Sequence, residues 1–540
     1  MEGFEPPRGG TKNRCLTAWL HPNAVTFTKT LMDVISEFEL FARMDIVDIN
    51  MKIIQIAAEL APIAKVGGLG DVVIGLSRAL LKMGQKLEIF LPKYACIPTL
   101  PPIKKTVTFT CIEEGREIQN TAHLGEVEGC DVWFFQTQHP EGYFHEKTIY
   151  AGDNDPKRFL YFCHMALEFL KKENQEEYLL HIHDWHTAFI PPLYHAAYSK
   201  DIEVKGIVLN IHNLEYQGRT SSKYIPKDLL GKDTKNILEK LKDDHAIYPD
   251  SINLLKGGIH YADKIVTVSP NYAKEILTVE QGFGLEDTLR KNDKKLLGIL
   301  NGIDTDLWNP ETDPHIPAHF RPSDPIEVII QKKRENKKEL QRKIGLKEEN
   351  KPLVSCISRL VPQKGPELIL GGLIYSLSQN GQACFLGSSP IDTLQKKFET
   401  FQKELFSKEI HFHFQYDEEF SRLLYAASDF ILVPSLFEPC GLTQLISLRY
   451  GAVPIVRRTG GLADTVFDID NNHINEEKKN GYTFDSFSLS ALEETLLRAL
   501  MRYKQHPEEH QKLLLKGIRS DFGWEKSAKE YLKIYQSLQG

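Results

Sequence analysis

Several things are missing from this chain of 540 residues, and each absence removes a class of function. No apolar run reaches the ~18 residues of a membrane-spanning helix. The nearest stretches, 368–377 and 430–437, are broken by Gly, Ser or Pro, so no membrane partner is expected. A charge excess of one sign is missing too. The 66 basic and 73 acidic residues leave a net charge of −7, and that field gives no reason to expect nucleic acid. A few placed cations can still bind a small phosphate-bearing molecule. The eight cysteines (Cys15, Cys96, Cys111, Cys130, Cys163, Cys356, Cys384, Cys440) contain no C-x-x-C pair. This argues against a zinc site and a disulfide framework and suits a reducing cytosol, where most of these thiols are expected to be buried. Also absent are G-x-x-x-x-G-K-[ST], G-x-S-x-G and H-E-x-x-H, which makes a P-loop NTPase and two hydrolase classes poor readings.

Apolar residues at 41% and charged residues at 26% are ordinary for a globular protein. The length predicts three or four domains, or two large ones. Residues 1–50 stand apart, with Pro6-Pro7, Gly9-Gly10 and one helix-like stretch at 30–44, and neither a secretory nor a transit signal is legible in them. They are expected to be a non-core extension, with the folded unit starting at Met51. From there apolar strand candidates at 52–58, 87–91, 131–135, 179–182, 206–211, 264–268 and 296–300 alternate with helical stretches such as 69–83, 158–172 and 186–198. After a Pro-rich stretch and a charged helix at 328–344 the rhythm restarts, with strands at 352–358, 384–386, 410–414, 430–433 and 453–456. This alternation predicts an α/β protein of two doubly wound domains in series, each a parallel sheet covered by helices, with a ligand between them at the strand C-termini. The basic run from Lys332 to Lys343 is interrupted by Glu335 and Glu339 at helical spacing, and is expected to be a solvated helix face.

Glycine clusters sit where strands turn into helices. KVGGLGD (65–71) lets backbone N–H groups approach an anion, and Lys65 adds a cation. It is no dinucleotide fingerprint, because the third glycine position is Val73. SRLVPQKG (358–365) places Arg359 and Lys364 across a turn, where they could neutralise a diphosphate or simply be surface cations. PSLFEPCGLT (434–443) ends a strand, offers Glu438 and starts a helix near Gly441, and RRTGGL (457–462) repeats the arrangement. In HIHDWH (181–186) three His and an Asp suggest a metal, but alternating strand positions point to opposite faces, so a polar strand end with Asp184 facing the cleft is preferred. His212 and Asn213 follow another strand, as a cleft pair or a satisfied structural one. Asp304-x-Asp306 is discounted as a metal motif because it follows the Asn301-Gly302 turn.

The segments KVGGLGDVV, HDWHTA, IHNLEYQG, ILNGID, SRLVPQKG, PSLFEPCGLTQL and RRTGGLADTV occur in this order. From about Met51 to Gly540 the chain closely resembles the bacterial glycogen synthase and plant starch synthase family. The resemblance implies a GT-B fold: an acceptor-side domain at 51–297, a nucleotide-sugar domain at 298–519, and a terminal helix at 520–540 crossing back. It implies a retaining transfer of glucose from ADP-glucose to the non-reducing end of an α-1,4-glucan. Lys65, Gly67 and Gly68 would contact the donor and Asp71 would hold their loop. Arg359 and Lys364 would bind the diphosphate. Glu438 would hold glucose hydroxyls, with Gly441, Leu442 and Thr443 at the distal phosphate. Thr459, Gly460 and Gly461 count among the substrate contacts, His212, Asn213 and Asn301 line the glucose pocket, and Asp184 sits near the reacting centre. No metal and no pyridoxal phosphate are implied. Many GT-B relatives carry a second Glu eight residues after the first, but here that position is Ile446. The rivals are a UDP-glucose enzyme of the same fold, a pyridoxal-dependent phosphorylase and a silent glucan-binding protein.

Overall fold

The computed structural model describes residues 49–539, apart from 98, 174–175, 246, 390–391, 406–407 and 416. Only the last two positions of the expected N-terminal extension fall inside that range. There Ile49 is buried and its N–H donates to Gln85 Oε1 at 3.3 Å, so the described core starts two residues before Met51.

The first sheet is built from β1 (Lys52–Ile56), β2 (Leu87–Pro92), β3 (Lys105–Glu113), β4 (Arg116–Val127), β5 (Cys130–Thr137), β6 (Tyr178–His183) and β7 (Val204–Ile211). A two-stranded ribbon of β8 (Arg219–Ser221) and β9 (Ser251–Asn253) follows, and β10 (Lys264–Thr267) and β11 (Leu296–Gly298) complete the sheet. Its order is β11-β10-β7-β6-β1-β2-β5-β4-β3. The expectation of a purely parallel sheet fails at one edge, where β3 and β4 pair antiparallel and β4 pairs antiparallel with β5. Two short turns make that edge. Glu114-Gly115 and Glu128-Gly129 all have positive φ, the requirement of a tight hairpin whose twist matches its strands. Along β3 and β4 buried and exposed residues alternate, as in a strand with one wet face.

The second sheet is parallel throughout. It contains β12 (Leu353–Ile357), β13 (Gln382–Leu386), β14 (Ile410–His413), β15 (Phe430–Val433), β16 (Val453–Arg457) and β17 (Tyr482–Phe484) in the order β14-β13-β12-β15-β16-β17. This is the doubly wound dinucleotide-fold order, with its reversal between β12 and β15. In the first sheet the reversal lies between β1 and β6.

The final helix, Trp524–Gln536, packs on the first sheet's core although it follows the second sheet in sequence. Gly75 admits the Trp524 indole, since a Cβ there would lie 2.1 Å from Trp524 Nε1. Tyr531 donates its hydroxyl proton to Asn210 Oδ1 at 2.9 Å, and the Tyr535 hydroxyl lies 2.8 Å from His181 Nδ1. The seven described cysteines are all free, and six of them are buried. No described helix is long and apolar enough to cross a membrane.

Candidate active site

In open α/β sheets the carboxyl ends of the strands at a reversal of strand order splay apart and leave a crevice. Here two such crevices face each other. The loops after β1 and β6 meet the loops after β12 and β15 across a cavity of about 530 Å³, lined from one side by Glu59, Gly67, Gly68, Asp184, His212 and Asn213. Arg359, Lys364, Glu438, Gly441 and Leu442 line the other side, with Asn301 from the segment after β11. A neighbouring cavity of about 210 Å³ continues under Gly67 and Gly68 to Ser358, Arg359, Lys364, Ser435 and Thr443.

On the first wall the organising residue is Glu59, which the sequence reading missed. Its buried carboxylate accepts the Val66 and Gly67 N–H groups at 2.8 Å each through Oε2, and the Tyr150 hydroxyl at 2.5 Å through Oε1. Bonds of this kind fix the backbone of the loop at Val66 and Gly67. Gly67 and Gly68 keep ordinary φ values, and a Cβ on either would meet nothing closer than 3.7 Å. The protein's own packing therefore does not demand glycine there, whereas close approach of a ligand does. Glu59→Gln keeps one oxygen for the two loop N–H groups and turns its NH2 to the Tyr150 hydroxyl, but it removes the negative charge from these bonds. It is expected to lower kcat/KM for the sugar donor about tenfold, at ~1.5–3 kcal/mol per bond to a charged group, while glucan affinity holds. Steady-state kinetics with each substrate varied in turn test this, and an unchanged donor kcat/KM would remove Glu59 from the site.

Asp184 directly follows β6 with φ of 55°, a left-handed conformation that a non-glycine residue adopts at a cost. Its Oδ1 accepts the His212 backbone N–H at 2.7 Å. Burial pushes its carboxyl up to about 7, against the opposing pull of the His212 and Asn213 amides. The His212 ring joins an internal chain: its Nε2 lies 3.0 Å from both His183 Nδ1 and Asn210 Nδ2, and His183 Nε2 lies 3.0 Å from Gln55 Oε1. Burial drives the His212 imidazole down to about 3, so it is neutral.

On the second wall Lys364 Nζ lies 2.5 Å from Glu438 Oε2, which also accepts the Ser435 hydroxyl at 2.8 Å. Arg359 is exposed into both cavities, and no carboxylate pairs with it among the described residues. Gly441 has φ of 73° at the turn into the helix Thr443–Arg449. The Asn301 side chain is buried, and its Oδ1 has no hydrogen-bond partner among the described residues.

Other residues singled out from sequence sit elsewhere. Lys65 pairs with Asp71 at 2.8 Å beside the glycine loop, and neither lines the cavity. Thr459, Gly460 and Gly461 lie behind the second wall. Cβ atoms on Gly460 and Gly461 would fall 2.0 and 1.9 Å from the carbonyl oxygens of Glu438 and Cys440, and the Gly461 N–H donates to Glu438 O at 3.0 Å. The Gly460 N–H is taken by the Glu275 carboxylate at 3.0 Å. These glycines back the segment that carries Glu438, and none of the three residues lines either cavity described above. Asp304 pairs with Arg78 at 2.6 Å and caps its own turn by accepting the Asp306 and Leu307 N–H groups. The alternation argument about His181 and His183 also needs correction, because residues two apart share a strand face and these rings lie 4.4 Å apart. His181 is bonded to Tyr535 and His183 to His212 and Gln55.

Residues 52–291 match the family described as starch synthase catalytic domain, and residues 337–512 match glycosyl transferases group 1. The glycogen synthase of Protochlamydia amoebophila (strain UWE25) is 44% identical over 498 residues, which cover 90% of this chain and 99% of that one. The chain belongs to the glycogen and starch synthase family. It is a glycosyltransferase of GT-B fold. The probable starch synthase 4 of Arabidopsis thaliana is 42% identical over 493 residues, and the chain spans about half of that protein (47%). The solved catalytic domain of starch synthase IV from Arabidopsis thaliana, bound to ADP and acarbose, superposes with a TM-score of 0.83 at 40% identity, covering 91% of this chain and all of that one. The facing crevices are thus those of a glycogen and starch synthase, and the two family matches fall one on each sheet.

Proposed function

We propose that the chain transfers glucose from ADP-glucose to the non-reducing end of an α-1,4-glucan with retention of configuration. The observation that carries this reading is the pairing of walls. A glycine loop kept clear of protein atoms and a buried carboxylate at Asp184 face Arg359, Lys364 and Glu438 across a cavity large enough for a nucleotide sugar. The relative bound to ADP and acarbose supports a nucleotide-and-glucan cleft.

In this reading Arg359 and Lys364 stabilise the diphosphate as the bond from C1 to the phosphate oxygen breaks. The acceptor's 4-hydroxyl attacks C1 from the departing face, and its proton passes to the leaving phosphate. Glu438 orients the donor glucose. One of its oxygens is already engaged by Lys364 and Ser435, which favours positioning over covalent attack. Asp184 faces the positive charge developing on the sugar, and Asn301, His212 and Asn213 complete the pocket. The second sheet (298–519) carries the nucleotide sugar and the first (51–297) the acceptor, with 520–540 tying the last helix to the first. Neither a metal nor pyridoxal phosphate is needed, and a cytoplasmic location suits these substrates.

Incorporation of labelled glucose into glycogen, from ADP-glucose and UDP-glucose side by side with EDTA present, tests the reading. Transfer from ADP-glucose alone is expected. Transfer only from UDP-glucose would overturn the donor and keep the fold, and glucan binding without transfer would leave a silent binding protein.

A further inference from the structure

The helix Ile326–Ile344 does not carry its basic run as a uniformly solvated face. Arg334, Lys338, Arg342 and Lys343 are exposed, but Lys333 and Lys337, one turn apart on the inner face, are 6% and 5% exposed. Lys337 pairs with Asp429 and donates to Lys351 O at 3.0 Å. Among the described residues Lys333 donates to the Ala426 and Tyr450 carbonyl oxygens alone, at 2.9 and 3.0 Å. An ammonium has three N–H donors, so Lys333 retains one, while the Lys337 ammonium also lies over the Tyr503 ring, 5.9 Å from its centroid.

Both lysines border a cavity of about 150 Å³ that Arg334, Tyr503, His510 and Gln511 also line. His510 belongs to the helix Pro507–Arg519 and is 5% exposed. Its ring packs 4.9 Å from those of Phe430 and Tyr503, and neither ring nitrogen has a hydrogen-bond partner among the described residues. A neutral imidazole still carries one N–H, and burying it unpaired is unfavourable. Burial also holds the Lys333 ammonium down to about 7 and His510 down to about 4. Three basic side chains and an unpaired histidine therefore face a single carboxylate, which is already shared with Lys337, Tyr503 and the Leu353 N–H.

The cavity shares no residue with the catalytic cleft. Asp429 precedes β15 and Lys351 lies just before β12, so it opens at the N-terminal edge of the second sheet. The cleft residues Arg359 and Glu438 follow the C-terminal ends of the same two strands. We propose that this cavity binds a small tetrahedral oxyanion, either inorganic phosphate or the phosphoryl group of a phosphate monoester, through Lys333, Lys337, His510 and Arg334.

The test is thermal unfolding of the full chain titrated with inorganic phosphate at constant ionic strength, with chloride as the balancing salt. A ligand that binds only the folded state raises the midpoint saturably. The wild type is expected to show that rise, and Lys364→Ala, altered only in the catalytic cleft, is expected to keep it. Arg334→Glu is exposed and safe for folding, and is expected to weaken phosphate about tenfold or more, as is His510→Phe if it folds. A rise lost in Lys364→Ala and kept in Arg334→Glu would place the anion in the catalytic cleft and overturn the proposal. An equal rise with chloride, or none, would overturn it too. Glycerol phosphate in a parallel titration distinguishes the two sources: a matching shift assigns the site to monoesters, and a shift with inorganic phosphate alone assigns it to the free anion.

Discussion

Lys364→Ala is expected to lower turnover by about 10²–10³-fold, the range for removing one preorganised donor to a developing anion. Arg359→Ala is expected to do the same, for a different reason. Arg359 makes no close ion pair among the described residues and acts on Glu215 only through its charge, so its removal subtracts chiefly the stabilisation of the departing diphosphate. Lys364 is paired with the buried Glu438, so its removal also leaves that carboxylate, among the described residues, with the Ser435 hydroxyl alone. A shift of Glu438 would misplace the donor glucose as well. The two deletions therefore differ in coupling. Lys364→Ala combined with Glu438→Gln should cost clearly less than the sum of the single changes, because the charge stranded by the first is absent in the second. Arg359→Ala combined with Glu438→Gln should be near additive. Turnover with saturating donor and glucan, on variants whose circular dichroism and glycogen binding match the wild type, measures all five. Normal rates in both single variants would remove the diphosphate assignment.

The strands that frame the cleft were legible because they are short, mostly apolar runs. KIIQI, LLHI and FILV can only be buried, and the polar residues right after them mark the open ends. The hairpin of β3 and β4 was not read, although KTVTFTCIE alternates with a period of two, because alternation with threonine on the wet side has no apolar run to notice. Glu59 was missed for a related reason. It belongs to no glycine or basic motif, and its signal is an acidic residue three positions past the end of β1 at the sheet's reversal. A glycine pair between strand and helix looks the same whether it admits a ligand or a neighbouring backbone, and Gly460 and Gly461 admit the backbone of Glu438 and Cys440. The Lys333 and Lys337 reading failed on a signal that was present. They fall in register with Ile329 and Leu340, on the buried stripe of their helix, whereas Glu335 and Glu339 mark the outer face.

The opposite signs expected for stability and catalysis make Asp184→Asn the most informative single change. In the unfolded chain this carboxyl titrates near the usual ~3.9. In the fold, burial lifts it to about 7. The folded state therefore holds the proton more tightly, and the protein loses stability as pH rises from about 4 through 7, with the full cost present above 7. Asparagine has the same shape, tolerates the left-handed φ of 55° and carries no charge to desolvate. The variant should be more stable than the wild type at pH 8, by on the order of 2–4 kcal/mol, with the difference shrinking as pH falls toward 4. Catalysis should move the other way. If the ionised carboxylate faces the sugar's developing positive charge, wild-type kcat/KM falls below pH ~7 as the free enzyme protonates. The asparagine variant should lose that limb along with at least about tenfold of its activity. Denaturant unfolding across pH, paired with pH profiles of kcat/KM, reads both effects on the same protein. A variant less stable at pH 8 would mean that the His212 and Asn213 amides outweigh desolvation and hold the carboxylate ionised. A stabilised variant with a wild-type pH profile would confine Asp184 to shaping the end of β6. Only the combined outcome, more stable and less active, makes the buried charge at this strained corner a cost that the fold bears for the reaction.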